Sequence, residues 1–158
     1  MAKVSTCLWF DRDAEAAVRF YVSLVPESRI EHVERAPAPW PGGDKGDVIL
    51  VAFTLGGQSF HALNGGSPAN YATAASISVD CETQAEVDRL WAALTADGGS
   101  EILCGWLRDK WGVPWQIVPQ NLPRLLADPD PAVAARAFDA MTKMVKLDMA
   151  ALERAAAG

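Results

Sequence analysis

Residues 4–25, VSTCLWFDRDAEAAVRFYVSLV, and residues 74–95, AASISVDCETQAEVDRLWAALT, read as two versions of one unit. In the first, Val4 to Phe10 has the apolar run of a buried strand. Asp11-Arg12-Asp13 then forms an acidic turn suited to a helix N-terminus. Ala14, Ala17, Val18, Tyr21, Leu24 and Val25 recur at helical spacing and give one core-facing stripe. In the second, Ser76 to Cys81 is the strand and Thr83-Gln84-Ala85-Glu86 is a capping box. Its helix carries the stripe Val87, Leu90, Trp91 and Leu94. A shift of 70 positions lays Thr6 on Ser76, Arg19 on Arg89, Phe20 on Leu90, Tyr21 on Trp91 and Leu24 on Leu94. This agreement of cap, stripe and order predicts an internal duplication.

The segments after each helix extend the pattern. Pro26 stops the first helix, and Arg29 to Arg35 shows a weak strand alternation. Ala36 to Gly46, rich in proline and glycine, reads as a surface loop. Val48 to Leu55 and Gln58 to Leu63 flank Gly56-Gly57, a two-residue hairpin signal. After the second helix, ended at Gly98-Gly99, short strands are expected near Glu101 to Leu107 and at Trp115 to Val118. Each module is therefore βαβββ. Asn121 and Pro123 open a short helix, and Asp130-Pro131 opens a longer one. The stripe of that longer helix is Val133, Ala134, Ala137, Met141, Met144 and Val145. Asp148 caps a last helix. The reading is an α+β domain spanning 1–158, with module one at about 3–66, module two at about 74–119 and a helical segment at 121–156.

Half of the 158 residues are apolar and 22% are charged, enough for a packed core. The net charge of −6 and the scattering of basic residues argue against nucleic-acid and membrane partners. Met1-Ala2-Lys3-Val4-Ser5 has no secretory pattern. Three cysteines without CxxC spacing, Cys7, Cys81 and Cys104, fit reduced thiols and a cytoplasmic location.

Several stretches carry a family resemblance: Cys7 to Asp11, Ala17 to Tyr21, Pro26 to Ile30, Ala62 to Gly66, Cys81 to Gln84, the tail from Leu125 to Ala155 and, most specifically, CGWLRDKWGVPWQIVP at 104–119. Together they resemble the PhnB-like proteins, many of which are labelled 3-demethylubiquinone-9 3-methyltransferase. These belong to the vicinal-oxygen-chelate (glyoxalase/bleomycin resistance/dioxygenase) superfamily. The resemblance implies that the two modules form a cup-shaped mixed sheet, and that the protein is a homodimer, often with modules exchanged. In metal-dependent members, a divalent cation is held by side chains on the first and last strands of each module.

Fitting that motif places Thr6 and Ser76 on the first strands, Gln116 on the last strand of module two, and His61, within one residue, on that of module one. A set of Thr, Ser, His and Gln lacks a carboxylate and is poor for a dication, so no metal or other cofactor is expected. His61 is the candidate catalytic residue, as general base or lone ligand. His32, between acids, reads as solvated. Trp9, Trp106, Trp111 and Trp115 are expected near the cup, part wall and part core. Trp9, Cys104 and Trp106, with Thr6, Ser76 and Gln116, are candidate contacts for a small apolar or aromatic ligand. A buried structural thiol is the plainer reading of Cys104.

The methyltransferase label finds no support in the first strand-to-helix turn. Asp11-Arg12-Asp13-Ala14-Glu15 has no glycine to admit a nucleotide-like cofactor. Two functions stay open: a metal-free small-molecule binder, or a lyase, isomerase or dioxygenase using His61 with a weakly held divalent metal.

Overall fold

A computed structural model describes residues 3–158; Met1 and Ala2, part of the N-terminal reading above, lie outside the described residues. The chain divides into two compact units, one ending at Asn70 and the other running from Tyr71 to Gly158.

The first unit holds β1 (Thr6–Phe10), α1 (Ala14–Leu24), β2 (Arg29–Arg35), β3 (Val48–Leu55) and β4 (Gln58–Asn64). Its sheet has the order β1-β4-β3-β2, with β1 parallel to β4 and the other pairs antiparallel. Gly56 and Gly57 both take positive φ, 54° and 81°, as the tight turn between β3 and β4 requires. Ala14, Ala17, Val18 and Tyr21 of α1 are buried, as are Leu8, Phe10, Val51, Phe53, Phe60 and Ala62 of the sheet. The apolar stripe of the helix and one face of the pleat thus make a single core. Phe53 and Phe60 stack there, with ring centroids 5.4 Å apart.

The helix start differs from the expectation. Asp13 makes no side-chain cap bond. Instead, buried Asn64 accepts from the Ala14 amide through Oδ1 (2.9 Å) and donates to the Val48 carbonyl through Nδ2 (2.9 Å). An acceptor from the end of β4 therefore satisfies the orphan amide and ties α1 to its sheet.

The second unit repeats the order with β5 (Ile77–Cys81), α2 (Gln84–Thr95), β6 (Ser100–Glu101), β7 (Trp106–Arg108) and β8 (Pro114–Pro119), arranged β5-β8-β7-β6. The capping box forms: Thr83 Oγ1 accepts from the Glu86 amide (3.2 Å), and the Glu86 carboxylate accepts from the Glu82 amide (2.9 Å). Three helices follow, α3 (Asn121–Leu126), α4 (Pro131–Lys143) and α5 (Met149–Ala157). Asp130 and Asp148 cap the last two by accepting from Ala132 and Ala151. Leu122, Leu125, Ala137, Leu147, Leu152 and Ala156 form their core.

Two boundaries move. The strand expected over Glu101 to Leu107 is broken by a turn at 102–105, where Cys104 and Gly105 have φ of 62° and 79°. Their amides donate to the carbonyls of Met144 and Val145, both at 2.8 Å. Met144 and Val145 accordingly lie past the end of α4 rather than on its stripe.

Among the described residues no disulfide forms, and no helix is long and apolar enough to cross a membrane. Burial pushes the Cys81 thiol up to about 12, and the nearby Glu86 carboxylate adds to the effect. An unfolded cysteine titrates near ~8.5. Native Cys81 thus stays protonated where the unfolded chain loses its proton, and its stabilising share is complete below about pH 8.5 and declines toward pH 12. The urea midpoint should fall across that window, and Cys81→Ala should flatten the fall. Thiol reagent at pH 8 should label exposed Cys7 in the native protein but reach Cys81 only on unfolding. An unchanged slope in Cys81→Ala would contradict the assignment.

Candidate functional site

Each sheet has one face buried on its helix and one facing away from it, and cross-strand register shows which side chains share the second face. In the first unit, Cys7, His61, Ala52 and His32 are successive partners across β1-β4-β3-β2. The next row on that face is Trp9, Leu63, Leu50 and Glu34. Between them runs the row Leu8, Ala62 and Val51, all buried. His61 is half-buried, and its Nδ1 lies 3.1 Å from the Ser5 hydroxyl. If the hydroxyl donates, Nε2 carries the ring hydrogen. If Nδ1–H donates, Nε2 is an acceptor. Ser5 orients the ring in both cases.

The second unit carries the matching row Ser78, Gln116 and Trp106. The alternating row Ile77, Trp115 and Leu107 faces the core. The Gln116 amide donates to the Ser76 hydroxyl at 2.9 Å. Ser5–His61 and Ser76–Gln116 are therefore equivalent pairs, because Cys7 is the partner of His61 as Ser78 is of Gln116. The true shift between first strands is 71 positions, Ser5 onto Ser76.

That shift corrects Thr6. It pairs with Phe60 and shares the helix-side parity of Leu8 and Phe10, so Ser5 takes the place at His61. The structure brings Ser76, Trp106 and Gln116 together in one unit, and Trp9 and His61 onto one face of the other. Cys104 sits apart from these rows, in the turn bound to the tail. Trp115 is fully buried and donates through Nε1 to Asp109 (2.9 Å), so it belongs to the core and not to a pocket wall. Trp111 lies in the adjoining turn, with the Lys110 ammonium 4.7 Å from its ring centroid. His32, read as solvated, is exposed but shares the row of His61. Sequence reasoning missed Ser5, although alternation from buried Leu8 and Phe10 signals it.

The donor set does not fit a tight divalent metal site of the kind the fold family uses. The first unit offers two imidazoles, His61 already paired with a hydroxyl and exposed His32 separated from it by the intervening strand β3. The second offers an amide whose NH2 is turned to Ser76. Among the described residues no three His, Cys, Asp or Glu side chains gather into a group able to hold a metal ion. Neutral hydroxyl and amide oxygens are weak partners for a dication.

Two tandem βαβββ units with equivalent strand order and equivalent polar pairs define a protein of the vicinal-oxygen-chelate fold. The chain belongs to the family described as 3-demethylubiquinone-9 3-methyltransferase, whose model matches residues 2–118. It is similar to a solved PhnB protein from Bacillus cereus at 35% identity, over 75% of this chain and 99% of that one, with a TM-score of 0.67. Protein PA1353 from Pseudomonas aeruginosa shares the fold at 22% identity, over 75% and 98% of the two chains, with a TM-score of 0.60. The fosfomycin resistance protein FosX from Listeria monocytogenes shares it at 13% identity, over 78% and 96%, with a TM-score of 0.50. No curated protein matches the chain.

Proposed function

We propose that this protein binds a small apolar or aromatic molecule on the sheet faces turned away from its helices, acting as a cytoplasmic homodimer without a full metal site. One observation carries the reading: each unit sets a serine-bonded polar side chain, His61 or Gln116, on the same face as a partly exposed tryptophan, Trp9 or Trp106. Apolar surface supplies affinity, and a fixed polar group supplies orientation. Methyl transfer is disfavoured by the same chain. The first strand-to-helix turn lacks glycine, and the α1 amide that would meet a cofactor is taken by Asn64.

His61→Ala and Gln116→Ala should each weaken ligand binding up to about tenfold, the worth of one hydrogen bond. The melting temperature without ligand should change little. Thermal-shift screening of apolar and aromatic compounds followed by calorimetry checks this. Tight stoichiometric binding of a divalent metal by the purified protein would refute the metal-free reading.

The orientation of His61 by Ser5 favours a second reading, an enzyme of the lyase, isomerase or dioxygenase type with His61 as general base and a weakly bound divalent metal. There, His61→Ala abolishes turnover while binding survives.

A further inference from the structure

We infer that Arg108 holds the carboxylate of an acidic ligand on the open face of the second unit, beside Gln116 and Trp106. This rests on the small-molecule reading above and names the class of ligand, an aromatic acid. In β7, buried Leu107 faces the core, so Trp106 and Arg108, both partly exposed, lie together on the other face. Trp106 is the register partner of Gln116, and Arg108 that of Pro114. Gln116 therefore stands diagonally from Arg108, at roughly 7–8 Å between adjacent strands.

Neutral groups fix the guanidinium. Its Nη1 donates to the Tyr71 carbonyl (2.8 Å) and to the Gly112 carbonyl (3.2 Å). Arg19, Arg29 and Arg124 each pair with a glutamate. Arg108 has no carboxylate partner among the described residues, although the chain carries 20 Asp and Glu against 14 Lys and Arg. The adjacent Asp109 carboxylate is turned to the core, where it accepts from the Trp111 and Val113 amides and the Trp115 indole. With Nη1 engaged by two carbonyls, Nε–H and Nη2–H lie side by side on the other edge of the guanidinium. Two coplanar donors match the two coplanar oxygens of a carboxylate, and such charge-assisted forks are the strong ones. The two carbonyls have already set the side chain, so an arriving anion meets part of the ordering cost paid in advance. Trp106 then offers apolar surface to the rest of the ligand, and Gln116 a neutral polar contact. The position equivalent to Arg108 in the first unit is Thr54, paired with Ser59 as Arg108 is with Pro114. Its hydroxyl donates to Glu31 (2.7 Å), so the anion site belongs to the second unit alone.

The probe pair is 2-naphthoate and 2-naphthamide, equal in shape but different by one negative charge. Calorimetry on the full chain near neutral pH should show the acid binding at least about tenfold tighter than the amide, the worth of a charged hydrogen bond. Arg108→Met keeps the length of the stem and removes the cation. It should lower naphthoate affinity about ten- to a hundredfold, leave naphthamide within about threefold and erase the discrimination. Arg108→Lys should restore part of it, because the charge returns without the fork. Far-UV circular dichroism establishes that each variant folds, and the wild-type comparison with Arg108→Lys serves if Arg108→Met does not. Equal binding of acid and amide, or undiminished discrimination in Arg108→Met, overturns the anion site and leaves the small-molecule reading standing. Tighter binding of 2-naphthyl phosphate than of 2-naphthoate overturns the choice of carboxylate. Failure of both members of the pair to bind overturns the anion site together with that reading.

Discussion

Asp109→Ala should destabilise the protein by about 3–5 kcal/mol and lower its melting temperature by on the order of 10 °C. Asp109 is 2% exposed and lies in the Asp109-Lys110-Trp111-Gly112 turn between β7 and β8. Its Oδ1 accepts from the Trp111 amide (2.9 Å) and the Val113 amide (3.0 Å), and its Oδ2 from the indole of Trp115 (2.9 Å). Removing the carboxylate strands three donors, two of them buried with Val113 and Trp115. Each buried donor left unpaired costs about 1–3 kcal/mol. Asp109→Asn separates these bonds. The amide keeps one oxygen for the two backbone donors but sets an NH2 group against the indole N–H, so the loss should be about half as large. Trp115→Phe in the wild-type background removes the same indole bond from its other end. Asp109→Asn and Trp115→Phe should therefore combine less than additively in a double-mutant cycle on urea midpoints. Full additivity would show that the indole bond contributes nothing.

The turn illustrates what the sequence made legible. Alternation alone sets Trp115, the residue that Asp109 holds, on the face opposite Gln116. Placing Gln116 on the open face therefore already committed Trp115 to the core. The duplication was readable because helix and strand periods are local properties, visible in Ala14 to Val25 and Val87 to Leu94. Register was not. A one-residue slip exchanges the faces of a strand, and the choice of Thr6 over Ser5 made that slip at the one strand that needed it. Contacts between distant segments were also hidden. Asn64 displaces Asp13 as the acceptor at the start of α1 from 50 positions away. The turn at 102–105 interrupts the expected strand because its amides are claimed by carbonyls forty residues later.

That last contact makes the C-terminal segment part of the second unit, and Leu147→Ala should show it with a loss of about 2–5 kcal/mol. Leu147 is 1% exposed and its side chain rests on Gly105, where a Cβ would approach it to 2.8 Å. The Leu147 carbonyl accepts from Gln84 Nε2 (3.2 Å), and Gln84 Oε1 in turn accepts from the Met149 amide (2.8 Å), joining the strap to the start of α2. Beside it, the Lys146 ammonium holds the Asp88 carboxyl below its usual range, an exposed pair that adds little. The family match ends at residue 118, and the Bacillus cereus PhnB protein is covered almost completely by three quarters of this chain. Residues 121–157 lie beyond the stretch that the family model matches, yet the turn at 102–105 is shaped around them. A chain ending at Pro119 should lose cooperative unfolding of the second unit, because Gly105 and Val118 lose their cover and the amides of Cys104 and Gly105 lose their acceptors. Hydrogen exchange gives the local reading: amides of β7 and β8 should lose protection in Leu147→Ala and in the shortened chain, while those of β3 and β4 keep theirs. Native-like protection of β7 and β8 in the shortened chain would show that the C-terminal helices merely lean on a unit complete without them.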